Sequence, residues 1–208
     1  MGFMSSRQLI KRVLGFGKIG QWVMVTIDMR FDSALIQSWI GKKFNKYKCD
    51  AFDFTNSVTQ IVGLYIGDEV FVLTNIQESV DYYGEKDDMA VSKLYRSDDS
   101  KIKSAFTDVK MISTPVNEVI TSVKLINEQQ KVSIKGELKY EVWLTRAIIF
   151  EAGGCEISFE KDTVPFSEEI TIRRGYNLME KISDNDDFLQ EWDEEYLPEY
   201  RRETIIIK

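Results

Sequence analysis

Glu137, Leu138 and Lys139 spell the acid-x-Lys element of metal-dependent nucleases. With an earlier acid such as Asp108 as second ligand, a bound divalent ion would generate hydroxide there. In a chain that is 29% charged such a triplet also arises by chance, and it falls on the outward phase of an alternating stretch. Gly15, Gly17 and Gly20 spell G-x-G-x-x-G, but a helical pattern precedes them and a strand follows, the reverse of a dinucleotide site, so they read as a helix-to-strand turn. Asp184-x-Asp186 opens like a calcium loop, then places Phe188 and Leu189 where an oxygen ligand and glycine belong; it reads as a helix cap. The chain has no histidine, so Ser-His-Asp and Cys-His nucleophiles and His-containing metal sites lose their central residue. Cys49 and Cys155 are too few for a zinc site and read as small buried hydrophobes, with a single bond between them left open. No cofactor or resident metal is expected.

Charge is laid out unevenly. The net charge is −7, yet residues 1–48 hold nine basic groups against Asp28 and Asp32. A candidate basic patch is Arg7, Lys11, Arg12, Lys42, Lys43 and Lys46. At the other end, residues 184–199 hold eight carboxylates and no basic group: Asp184, Asp186, Asp187, Glu191, Asp193, Glu194, Glu195 and Glu199. The first seven are the candidate acidic, partner-binding surface. An isoelectric point near 4.9 argues against nucleic-acid binding by the protein as a whole. No stretch reaches the ~20 apolar residues of a membrane span, and a cytoplasmic protein is expected.

The elements that must position these residues read as α+β. A helix is predicted over 6–14, a buried strand over Trp22–Ile27, and a second helix capped by Asp32, with Leu35, Ile36, Trp39, Ile40 and Phe44 on one side and Lys42, Lys43 and Lys46 on the other. From Cys49 short apolar runs separated by turn residues predict antiparallel strands. Val119, Thr121, Val123 and Leu125, then Val132, Ile134, Leu138, Tyr140, Val142 and Leu144 after "NEQQ", keep a period of two, which predicts a hairpin with one buried face. A hairpin turning at Gly153-Gly154 echoes the earlier one at Gly67-Asp68, Thr145 lying against Thr59, which suggests two related β-lobes. The division expected is a basic segment 1–48, a first β-rich lobe 49–113 and a second 114–208 carrying the acidic helix, or all three in one compact unit. In that helix Phe188, Leu189, Trp192 and Tyr196 share a face, Pro198 closes it, and "ETIIIK" reads as a docked strand.

Phe159–Asp162, Phe166–Ile170, Arg174–Tyr176 and the Phe188–Trp192 stretch resemble the C-terminal part of small uncharacterised proteins of phages and mobile elements of Firmicutes and gut bacteria. The resemblance covers residues 156–208 and implies a setting rather than an activity: small accessory proteins that block host machinery. The expectation is a non-enzymatic protein-binding inhibitor of a host nucleic-acid-processing enzyme, of anti-CRISPR or anti-restriction type, acting through its acidic surface as a row of phosphates would. The alternatives are a nucleic-acid-binding accessory protein using the basic segment and a metal-dependent hydrolase built on Glu137.

Overall fold

The computed structural model describes residues 26–51, 56–81, 86–162, 167–183, 186–190 and 192–208. Among them are eleven strands and two helices of five residues each. This corrects the α+β expectation: the fold is β-rich and mainly antiparallel. The predicted helix over 6–14, the glycine turn and all but the end of the Trp22–Ile27 strand lie outside the described residues.

The strands are β1 (Thr26–Met29), β2 (Lys43–Asp50), β3 (Ser57–Thr59), β4 (Ile61–Ile66), β5 (Glu69–Asp81), β6 (Lys86–Ser97), β7 (Met111–Ile134), β8 (Glu137–Ala152), β9 (Cys155–Lys161), β10 (Glu169–Gly175) and β11 (Tyr196–Ile207). They pair in the order β3-β10-β9-β8-β7-β2-β4-β5-β6, with β1 parallel to β8 and β11 antiparallel to β7. Only Gln60 separates β3 from β4, so the pairing closes a circuit: β7, β2, β4 continuing as β3, β10, β9, β8 and back to β7. Gln60 makes that corner in the left-handed region, at φ 68°, its N–H donating to Glu168 O and its carbonyl accepting from Asn75 N–H.

Helix α1 (Ser33–Gln37) is capped by Asp32, whose Oδ1 accepts from Ala34 N–H at 2.8 Å. It stops far short of the predicted length. Gly41 takes a left-handed φ of 79°; its N–H donates to Ile120 O, and Ile120 N–H donates to Lys42 O, so sheet pairing replaces the helix from there on. Phe44 therefore enters the core from a strand. Ile36 and Trp39 are fully buried inside the circuit, Trp39 lying 4.8 Å from Phe71 and 5.8 Å from Phe150 between ring centroids.

Two bulges explain which faces are buried. On β7, Thr121 has no partner between Ile120↔Ala152 and Ser122↔Glu151, so Ile120 and the odd-numbered Val123 and Leu125 reach the same core. Val119, expected inside, is 49% exposed. On β8, Arg146 is the extra residue between Ile126↔Ala147 and Asn127↔Thr145. Ile148 and Phe150 thus face the circuit's interior, whereas Leu144, Val142 and Tyr140 face the other side, where they join Met29, Met89, Val91 and Phe188 in a second apolar cluster. Ile126, Ala147 and Ile149 lie on that second side with Leu178 and Ile182. "NEQQ" is no loop: Asn127–Gln130 continue β7, all four at 9% exposure or less, and the chain turns instead at Lys135-Gly136.

Candidate functional site

The acidic stretch sits on the second side of the sheet. A 3-10 turn (Leu178–Lys181) buries Leu178 and Ile182; helix α2 (Asp186–Gln190) buries Phe188. Phe188 and Trp192 meet edge to face at 5.6 Å, and Trp192 lies 5.5 Å from Tyr196. Tyr196 already belongs to β11, so the expected acidic helix is shorter than predicted, and Leu189, expected on its inner face, is 41% exposed. Pro198 closes no helix; it lies within β11, paired with β7 alone, where a missing N–H is tolerated at a sheet edge. Asp193, Glu194 and Glu195 are exposed. Asp184 and Glu191 fall outside the described residues, as do the side chains of Asp186 and Asp187.

A buried polar seam underlies this stretch. Glu128, fully buried, accepts from Arg202 Nη2 at 2.8 Å and Nε at 3.2 Å, and Arg146 Nε approaches the same carboxylate oxygen at 3.9 Å. Arg202 Nη2 also donates to Ser183 O at 2.6 Å, and Arg146 Nη2 to Ser183 Oγ at 3.4 Å. The seam grips the backbone at the point where the acidic stretch begins. Burial works against the charge of Arg202, but its bond to Glu128 outweighs this and holds its pKa above the usual arginine value. Burial dominates at Arg146 and pushes its pKa down, against the pull of Glu128.

The expected basic patch divides differently. Arg7, Lys11 and Arg12 lie outside the described residues. Lys42, Lys43 and Lys46 stand on or beside strand β2 rather than on a helix. Lys42 pairs with Glu69 at 2.9 Å, Lys46 lies 4.4 Å over the Tyr65 ring, and Lys43 is exposed. Lys48 pairs with Asp99 at 2.9 Å. Two of the three candidate lysines are thus engaged within the fold. Glu137 accepts from its own neighbour Lys139 at 2.6 Å, while Asp108 precedes the far end of β7, so the 24-residue strand separates the two acids of the nuclease reading. Among the described residues no three acids or cysteines gather to hold a metal ion. Both cysteines are free thiols; burial pushes Cys49 up to about 12.

Two polar features escaped sequence reasoning. Lys161, 5% exposed, donates to Asn75 Oδ1 and to Ala90 O, both at 2.8 Å, and so ties β9 to β5 and β6. Burial lowers its pKa to about 7. The second is a cleft of about 360 Å³ along β10. Its cations are Arg173, Arg174 and Lys181; Tyr47, Ile172 and Leu178 form its wall, and Asn56 its rim. The signal available was the adjacent Arg173-Arg174 pair ending a strand, which alternation alone assigns to opposite faces. Both side chains line the cleft because β3 pairs only with Glu169–Thr171, leaving that edge of β10 open beyond Ile172. Comparison of this chain with known family models, curated proteins and solved structures finds no match.

Proposed function

We propose that this protein is a non-enzymatic binding factor, of the kind carried by phages and mobile elements, whose acidic stretch occupies the basic nucleic-acid channel of a host DNA- or RNA-processing enzyme in the cytoplasm. The observation that supports this reading is the division of labour along 183–196: Ser183 is gripped by Arg202, Phe188 is buried and Trp192 packs half-buried against it, while Asp193, Glu194 and Glu195 stand in solvent. A carboxylate row on an anchored backbone attracts a cationic groove at long range and loses little freedom on docking. No helix among the described residues is long and apolar enough to cross a membrane.

The test is capture from bacterial lysate with the wild-type protein and with an Asp193→Asn, Glu194→Gln, Glu195→Gln variant, each challenged with duplex DNA and with rising salt. A nucleic-acid enzyme that the wild type retains, that duplex DNA displaces and that the variant fails to retain is the expected result. Retention indifferent to neutralisation and to DNA overturns the proposal.

A further inference from the structure

The cleft along β10 carries an inference independent of the acidic stretch. We propose that it binds the phosphate group of a small phosphorylated molecule, with Arg174 and Lys181 as its free cationic contacts and Arg173 as a fixed one.

Arg173 and the turn that carries Lys181 are held in place before any ligand arrives. Arg173 is bonded to Glu160, a carboxylate only 3% exposed that also accepts from Ser158 Oγ at 2.6 Å. Lys181 rides on the 3-10 turn, which is pinned by Leu178 N–H donating to Glu156 Oε2 at 2.7 Å and by the buried Leu178 side chain. Its Nζ lies over the end of β10, 3.8 Å from where a Cβ on Gly175 would stand. Arg174 is exposed at the strand's open edge. Neither Arg174 nor Lys181 forms an ion pair among the described residues, Glu156 acting on Lys181 only through space, and no acid lines the cleft.

In a protein of net charge −7, Arg174 and Lys181 line one concave site in which no acid stands, while Arg173 is already paired with Glu160 and Lys181 feels Glu156 from outside the cleft; an anion in the cleft is attracted by all three cations. Guanidinium forks bind phosphate bidentately, and an ammonium adds a point charge. The volume lies near the lower end of the ~300–1,000 Å³ range of small-molecule sites, with room beyond the phosphate itself. Ile172 and Leu178 offer apolar surface for the rest of the molecule.

Titration calorimetry of the full chain tests this with two probes, inorganic phosphate and adenosine monophosphate, on the wild type and on Arg174→Gln, Lys181→Gln and Lys43→Gln. Lys43 is the control, an exposed cation four residues from Tyr47 on β2. Binding of the nucleotide that weakens about tenfold in each cleft variant, but not in the control, is expected from the loss of one charge-assisted contact. Inorganic phosphate competing for the site with equal affinity supports the proposal with the phosphate alone as ligand; weaker competition shows that the organic part contributes. Binding by neither probe, or equal weakening in all three variants, overturns it.

Discussion

The two sides of the sheet are built on opposite principles. Inside the strand circuit the core is almost wholly apolar, with Trp39, Phe44, Phe71, Phe150 and Phe159 fully buried and stacked or edge-to-face. On the other side, apolar clusters are interrupted by Glu128, Arg146 and Arg202. Apolar packing is non-directional and supplies stability. A buried charge network supplies little net stability but fixes geometry, because each member tolerates few arrangements. The difference teaches why the acidic stretch lies on the second side: a short segment with one turn of 3-10 helix and five residues of α-helix needs directional bonds to its backbone, and the seam provides them at Ser183.

The comparison breaks most completely where the register of β8 slips next to the bulge that separates the two sides. Deleting Arg146 only heals the bulge, since Ala147 and Thr145 already lie opposite the adjacent Ile126 and Asn127. Inserting one alanine between Leu144 and Thr145 would instead turn Tyr140, Val142 and Leu144 toward the wrong face, an effect comparable to the ~5–15 kcal/mol stability of an ordinary domain. The expected outcome is an insertion variant without near-ultraviolet circular dichroism or a cooperative transition, and a deletion variant that retains both. Trp39→Ala tests the circuit side alone and should cost about 3–5 kcal/mol in urea denaturation. On the seam side, Arg202→Met leaves a fully buried carboxylate with Arg146 as the one cation near it among the described residues and the Tyr200 hydroxyl beside it, and a loss of about 3 kcal/mol is expected. Combining it with Glu128→Met should recover most of that loss, since two apolar side chains replace the pair. A double variant as unstable as the single would mean that the seam stabilises as well as positions.

Lys161 sharpens the contrast through pH. Its folded pKa, about 7, lies below the ordinary 10.5, so between those values the unfolded chain binds more protons and stability rises with pH. The slope is at most about 1.4 kcal/mol per pH unit, with the full cost of burying the charge present below pH 7. Lys161→Met should abolish that slope; parallel stability curves for the two proteins between pH 7 and 10 would show that the amine stays charged. The smallest effect is expected from Asp193→Asn, Glu194→Gln and Glu195→Gln, each within about 0.5 kcal/mol of wild-type stability because these side chains are exposed.

Local pattern made the long hairpin legible in part: alternation over 132–144 placed Val132, Ile134, Leu138, Tyr140, Val142 and Leu144 on one face, of which Val132, Tyr140, Val142 and Leu144 are buried and Ile134 and Leu138, next to the turn, are half-buried. The same alternation could not show that Ile148 and Phe150 serve the opposite side, because a bulge such as Arg146 leaves no compositional mark. Four polar residues in a row at 127–130 read as a loop; they are buried because strands distant in sequence supply their partners, Thr145 for Asn127 at 2.9 Å and Arg202 for Glu128. Leu35, Ile36, Trp39 and Phe44 have helical spacing, yet pairing with β7 from Gly41 onward outweighed local propensity. Of the candidate sites, exposure at Asp193–Glu195 was legible from charge density alone, whereas the β10 cleft depends on an open edge that only the assembled sheet creates.

The corner at Gln60 has a kinetic meaning. The ring of strands is completed by a stave only three residues long, Ser57–Thr59 against Glu169–Thr171, whereas β7 and β8 are zipped over most of their length. Such a stave is the last to dock in folding and the first to lift, so its amide protons should exchange with solvent well before those of β7. The phosphate cleft borders this latch at Asn56, and transient lifting there would widen its entrance without disturbing the aromatic interior.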